Sequence, residues 1–336
     1  MIHRAFIGGV LLAAGCAIAP PSTGPNPLQP ALSATLQGDA REALRLLENL
    51  QGPLTAKQKE MVACIRGRFV DPLPPLDLPP VSAAALSAYV RYWRASMMKA
   101  DSVEDLERRL LESLDAIPGM ALATDRASLD SVSDYLVTAI EAEGLHALTG
   151  KTEPLYELMI WKSQETAVYD VALPEGAVNV KVVFLDRFAS TGWAGYATCE
   201  IAHTGGWAKP DALFAVRDSY DVGSEEFRVS YLAHEGQHFA DYGKYPRLEQ
   251  PELEYRAKLA EIAMSTNTTN ALLYGFAAMG GESRDAPHAF ANRHVTRALQ
   301  DVPVARVREA AREKLLESSA TLARLGAGTA RRFLPD

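Results

Sequence analysis

Residues 224–243 read SEEFRVSYLAHEGQHFADYG, a pattern that predicts one helix with a defined start and end. Ser224 is a good N-cap, the two glutamates after it suit the positive end of the helix dipole, and a glycine closes the run. The middle of the helix holds HEGQH, an H-E-x-x-H motif. Four residues on a helix advance about 400°, so His234 and His238 lie one turn apart and about 40° out of line. This spacing lets both imidazoles bind one Zn²⁺, with Glu235 placed to act as general base toward a metal-bound water.

The plain alternative is a pair of surface histidines on an amphipathic helix. The chain has only 7 histidines, and a shuffled sequence of this composition would contain the motif about once in a hundred. The metal-binding interpretation is therefore preferred.

A third ligand is expected after the motif, because a catalytic zinc typically has three protein ligands and one open position. No histidine occurs between His238 and His288, which makes a carboxylate the natural candidate. The segment QPELEYRAKLAE, residues 250–261, has a proline at its second position that suits the first turn of a new helix, and it contains three glutamates. The sequence therefore predicts a glutamate ligand from this second helix.

A helix with H-E-x-x-H followed by a helix with E-x-x-A resembles the gluzincin metallopeptidases, especially their compact members. Glu254-Tyr-Arg-Ala257 matches the second motif, and the resemblance covers roughly residues 178–300. It implies that Glu254 completes the zinc site and that the protein is a zinc metallopeptidase. Thermolysin-like members have an acid four residues after this glutamate, whereas this chain has Lys258.

Neighbouring acids have alternative roles. Glu261 follows Glu254 by two helical turns on the same face, and it is either the ligand instead of Glu254 or a partner of a ligand. Glu252 points to the opposite side, and both Glu252 and Glu254 could simply stabilise the helix dipole as first-turn acids. Asp241, three residues past His238, either orients a ligand imidazole through its outer N–H or is a solvated residue of the last turn.

The resemblance also implies a donor that stabilises the oxyanion and an edge strand that holds the substrate backbone. Tyr274, His288 and His294 follow the ligand helix, and His288, in the loop-like segment DAPH, is the catalytic candidate. Residues 212–217, ALFAVR, precede the catalytic helix and are the candidate edge strand.

The composition is that of a globular protein, with 336 residues, 48% hydrophobic content and a formal net charge of −8. This negative balance argues against a general nucleic-acid binder. Residues 31–165 are predicted to form an α-helical region without catalytic or metal-binding residues, and the pattern is helical throughout to about Trp161. Residues 166–336 are predicted to form a compact zincin-like domain with catalytic helices, so the expected fold class is α+β with a small, mainly antiparallel sheet. Its strands are expected at residues 178–185, 195–203 and 212–219.

Residues 1–19 predict secretion. A basic start is followed by 15 residues without charge, which is short for a membrane-spanning helix and suits a signal peptide. The run LAAGC, ending at Cys16, resembles a bacterial lipobox, so residues 1–15 are predicted to be removed and Cys16 to carry lipid. The alternative is ordinary cleavage a few residues later, which would discard the cysteine. With a proline-rich tether at residues 16–30, these features imply a lipid-anchored protein of the bacterial cell envelope, at the outer membrane and facing the periplasm.

The expected function is zinc-dependent hydrolysis of a peptide bond in a peptide or protein substrate. Two alternatives remain, namely a zinc amidase that acts on cell-wall peptide and a binding or assembly lipoprotein with a vestigial motif. An intact Glu235 favours catalysis, because a structural zinc site needs no general base. In an oxidising compartment Cys64 and Cys199 can pair or stay as buried thiols, and the sequence leaves this choice and the oligomeric state open.

Overall fold

The computed structural model describes residues 26–118, 128–152, 154–209 and 211–336. The predicted signal peptide, Cys16 and most of the tether lie outside the described residues. The chain divides into two compact units: the first comprises the residues up to Gln164 together with Asp186–Thr204, and the second comprises Glu165–Leu185 and Gly205–Asp336. The sequence predicted one boundary near residue 165 and did not predict that Asp186–Thr204 belong to the first unit.

The described residues of the first unit form seven helices and part of the sheet, including one strand pair that is antiparallel. The helices are α1 (Gln29–Leu36), α2 (Ala40–Glu48), α3 (Ala56–Val70), α4 (Pro80–Met97), α5 (Val103–Asp115), α6 (Leu129–Glu141) and α7 (Trp193–Thr198). Strand β1 (His146–Thr152) pairs with the first part of β2 (Leu155–Leu173). Trp93 is fully buried and lies in a core to which α4 contributes most residues and to which the other helices of the unit and its strands also contribute.

Two sequence predictions are wrong in this unit. Helix throughout to Trp161 is contradicted by β1 and by the start of β2. Every side chain from Glu157 to Trp161 is buried, so the alternation that marks a half-exposed strand is absent there. The strand predicted at 195–203 is instead covered by α7 and the turn after it, because a short apolar run fits a buried helix as well as a buried strand.

A disulfide joins Cys64 on α3 to Cys199, the residue directly after α7. The sequence had left this pairing open. The bond spans a sequence separation of 135 residues, so it restricts the unfolded chain of the first unit strongly.

The strands follow the order β1-β2-β3-β5-β4, where β3 is Gly176–Thr191, β4 is Gly206–Lys209 and β5 is Ala212–Val216. Strand β5 pairs parallel with β3 and antiparallel with β4. The strand predicted at 178–185 is confirmed within β3, and β5 covers the first part of the strand predicted at 212–219. The protein is therefore of the mixed α and β class, with one parallel pair in the described sheet.

The second unit places its helices after the sheet. A π-helix (Phe227–Ala233) leads into α8 (His234–Lys244), and α9 (Gln250–Met264), α10 (Thr269–Ala278), α11 (Pro287–Leu299) and α12 (Val307–Leu325) follow. Helix α9 packs against the other four α-helices, and all its residues from Pro251 to Ile262 are buried. Within the part of the chain that the structure describes, no helix has both the length and the apolar character needed to cross a bilayer.

Candidate metal centre

The helix that carries the motif begins as predicted. The hydroxyl of Ser224 accepts the backbone N–H of Phe227 at 3.0 Å, which is the N-cap contact. The π-helix that follows is a form often found beside functional sites, and it runs directly into His234. Inside the motif, a Cβ on Gly236 would lie 3.3 Å from Val171 Cγ1 on β2, so this glycine lets α8 approach the sheet closely.

Three buried side chains converge on one point. The Nε2 atoms of His234 and His238 are 3.1 Å apart. His238 Nε2 lies 3.3 Å from Glu254 Oε1, and His234 Nε2 lies 3.6 Å from Glu254 Oε2. Each of the three offers a ligand atom, and these atoms all lie within 4.8 Å of one another, so the group can hold a metal ion. We call these three residues the ligand group.

The separations fit a small tetrahedral ion. Ligand atoms at about 2.0–2.1 Å from a tetrahedral centre are about 3.3 Å from one another. The observed separations, 3.1 Å between the imidazole nitrogens and 3.3 and 3.6 Å from these nitrogens to the two different oxygens of Glu254, are close to that value. Two imidazoles and one carboxylate are also the donor set of many catalytic zinc sites. The residues therefore fit the metal that the sequence predicts.

Glu261 lies behind the ligand group rather than in it. Its Oε1 is 2.5 Å from Nδ1 of His234, so it accepts the outer N–H and sets the orientation of that ring. Burial alone would lower the pKa of His234, but the charge and hydrogen bond of Glu261 outweigh burial and, with Glu254, raise it to about 9. Glu261 therefore contacts His234 from outside the ligand group, which is the geometry expected for the partner role.

Glu254 is held ionised by its neighbours. Burial would raise the pKa of Glu254, but electrostatic attraction to and hydrogen bonding with the imidazoles of His288 and His238 outweigh burial and keep it well below its usual range. His288 Nδ1 is 2.8 Å from Glu254 Oε2. His288 lies in the first turn of α11, directly after Pro287, rather than in a loop.

The other candidate donors stand apart from the ligand group. Tyr274 on α10 is 78% exposed. The ring of His294 packs on Phe290, with ring centroids 4.4 Å apart. The structure therefore brings only His288 of the three to the ligand group.

Both roles considered for Asp241 are wrong. Its side chain is completely buried, and its two oxygens accept from Arg256 at 2.7 and 2.9 Å instead of from an imidazole. Arg256, on the ligand helix α9, is itself completely buried and donates also to Glu175 and to Ser318. Asp241 therefore joins α8 to α9 through a buried ion pair.

Sequence reasoning missed Arg256 and the burial of Lys258. The charges of α9 fall on two opposite faces, with residues 252 and 256 on one and residues 254, 258 and 261 on the other. Such a pattern predicts an exposed helix, whereas α9 is buried on every side. No local signal therefore indicates the burial of Arg256 and Lys258.

The candidate substrate strand is corrected. Residues 212–217 do not form an edge, because β5 lies between β3 and β4 in the described sheet. The end of that sheet in the second unit is β4, with Gly206 opposite Ala215 and Lys209 opposite Ala212.

No protein-family model, no curated protein and no solved structure matches this chain. The ligand group and its surroundings are the observations from which a function can be argued.

Proposed function

We propose that this protein is a zinc-dependent metallopeptidase of the gluzincin type, with His234, His238 and Glu254 as the zinc ligands. The observation that carries the proposal is the burial of Glu235 with one carboxylate oxygen left without a hydrogen-bond partner in the described part of the chain. Its side chain is only 5% exposed, and its Oε2 has no hydrogen-bond partner among the described residues. A buried carboxylate oxygen without a partner is costly, and a structural zinc site has no use for it. A general base, in contrast, needs a free carboxylate oxygen that can accept a proton.

When bound, a Zn²⁺ ion in the ligand group would supply Lewis acidity, which lowers the pKa of a water in its open position and polarises a carbonyl. Glu235 would accept a proton from the attacking water at Oε2 and then pass it to the nitrogen of the leaving amine. Glu261 fixes the tautomer of His234, so that Nε2 keeps its lone pair for the ligand role.

His288 is the proposed donor to the oxyanion. With Nδ1 beside Glu254, its Nε2 remains without a partner among the described residues. As a ring nitrogen, Nε2 can donate a hydrogen bond when it carries a proton. Strand β4 replaces residues 212–217 as the proposed site at which an extended substrate pairs with the sheet.

The proposal is tested by separating metal binding from chemistry. Glu235→Gln keeps the shape of the side chain but loses the base, so zinc content should stay near one per chain while hydrolysis falls by at least about 100-fold. His238→Ala should lose the zinc itself. Zinc is measured by elemental analysis, and hydrolysis by mass spectrometry of a peptide-library digest beside a peptidoglycan digest. Near-normal turnover in Glu235→Gln would contradict the mechanism, and cleavage of peptidoglycan alone would favour the amidase alternative.

The envelope location is part of the same proposal. It rests on the lipobox-like run before Cys16 and on the proline-rich tether after it, which would hold the zinc-binding unit at a distance from the membrane.

A further inference from the structure

Helix α9 carries five buried charged residues, and four of them have an evident reason for burial. Glu252 accepts from Arg284 at 2.6 and 2.7 Å. Arg256 pairs with Asp241, Glu261 pairs with His234, and Glu254 belongs to the ligand group. The fifth is Lys258, which is 6% exposed and has no hydrogen bond or ion pair among the described residues.

The side chain of Lys258 is mostly buried without a counter-charge in the part of the chain that the structure describes. Withdrawing an ammonium from water is unfavourable unless an anion or a set of hydrogen bonds replaces the lost hydration. Two carboxylates lie within helix reach, since Glu254 is four residues before Lys258 and Glu261 three residues after it. The ammonium pairs with neither, and instead lies 4.8 Å from the ring centroid of Phe276 on α10. Lys258 is therefore not the counter-charge of either carboxylate.

A second set of unpartnered polar atoms lies on α11, the helix that packs against α9. His288 Nε2, Asn292 Oδ1 and Thr296 Oγ1 are all buried without a hydrogen-bond partner among the described residues. They are spaced by four residues, so they share one face of the helix. The stripe starts at His288, which touches Glu254, one turn before Lys258 on α9. The apolar faces of the same two helices pack together in one core cluster.

We propose that Lys258, together with Asn292 and Thr296, forms a subsite that binds a carboxylate of the substrate next to the cleaved bond. This inference rests on the proposed peptidase function. The hydroxyl and the amide oxygen suit the N–H groups of a peptide backbone, whereas the ammonium suits an anion. Four residues on α9 rise about 6 Å, which is less than the span of two extended residues, so the carboxylate belongs to a residue close to the cleaved bond.

Two chemical sources supply such a carboxylate. One is the free C-terminus of a peptide, and the other is an acidic side chain. They are distinguished with two otherwise identical peptide libraries, one with free C-termini and one with amidated C-termini. Each is digested by the zinc-loaded protein and is also captured on the zinc-loaded Glu235→Gln variant, which reports binding without cleavage.

Lys258→Met tests the residue itself, because methionine keeps an apolar stem and removes the charge. Lys258→Arg restores a positive charge. Lys314→Met is the matched control, since Lys314 is a partly exposed lysine on α12 in a surface ion pair with Glu317. Zinc content and circular dichroism establish that each variant is folded and loaded.

The expected result is that peptides with a carboxylate near the cleaved bond are captured at least about tenfold better than matched neutral peptides, the effect of one hydrogen bond to a charged group. Lys258→Met should abolish this preference, Lys258→Arg should keep part of it, and Lys314→Met should keep all of it. A preference confined to the free-acid library assigns a C-terminal carboxylate, and one that persists in the amidated library assigns an acidic side chain. Cleavage with no preference for a carboxylate, or a preference unchanged in Lys258→Met, would overturn the subsite while leaving the peptidase proposal intact. Absence of both cleavage and capture would overturn both.

Discussion

Arg256 should be the most costly side chain to truncate in the second unit, because it is the shared counter-charge of two carboxylates. Its guanidinium donates to Asp241 at 2.7 and 2.9 Å and to Glu175 at 2.7 Å. Arg256→Met leaves Asp241 charged and completely buried, and one-sided removal of a buried pair costs about 3–5 kcal/mol. Asp241→Asn should cost less, about 1–3 kcal/mol, since Glu175 remains as a counter-charge for Arg256.

The assay is hydrogen exchange measured by mass spectrometry on peptides from α8 and α9 in the metal-free protein. At 1.36 kcal/mol per factor of ten, Arg256→Met should lower protection there by about 100- to 5000-fold. Arg306→Met is the matched control, because Arg306 is 62% exposed and pairs only at the surface. Wild-type protection in Arg256→Met, or a larger loss in Asp241→Asn, would refute the assignment of Arg256 as the shared counter-charge.

Three further predictions concern single residues. Zinc affinity is measured by chelator-competition titration, in which loss of a residue that only orients a ligand is expected to weaken affinity by roughly 10–100-fold. Glu254→Ala should weaken it by more than that, and Glu261→Ala by no more than that. The reverse order would transfer the ligand role to Glu261. Burial raises the pKa of Glu157 from 4.5 to about 7, so the unfolded chain ionises first and stability should fall as pH rises through that window. Glu157→Gln should remove this dependence in unfolding measured at pH 5 and pH 8, and an unchanged dependence would contradict it. Labelled fatty acid should enter the wild-type protein but not Cys16→Ser, and equal labelling of both would exclude lipid at Cys16.

The parts of the site that the sequence predicted are the local ones. The spacing of His234 and His238 follows from helix periodicity, and the structure places their Nε2 atoms 3.1 Å apart. Glu254 could be chosen because it matches the E-x-x-A pattern and lies close behind the H-E-x-x-H motif, on a helix whose start is indicated by a proline. The role of Glu261 could be narrowed to two possibilities, since both depend only on its being two turns further along.

The parts that could not be predicted depend on contacts between distant residues. Arg256 reaches Ser318, which is 62 residues away, and Asp241, which is 15 residues away on another helix. No local pattern contains that pairing, so Asp241 was interpreted from its position on α8 alone. The interior position of β5 likewise depends on β4 joining the sheet beside it, which the residues of β5 do not encode.

The charges of α9 and α8 support a functional site more strongly than the motif alone does. Burying a charge is unfavourable unless a partner replaces its lost hydration. Within the described residues such partners exist for Arg256 and Glu261. Oε2 of Glu235 is buried without a hydrogen-bond partner, and the mostly buried Lys258 has no hydrogen bond or ion pair among these residues. These unmatched groups have opposite signs, and both lie within one helical turn of a ligand-group residue. Ligands from outside the chain would satisfy both: a water and its proton at Glu235, and an anionic group of the substrate at Lys258. A purely structural zinc site explains neither Glu235 nor Lys258. Four protein ligands complete such a site, and it needs no further charged group beside it.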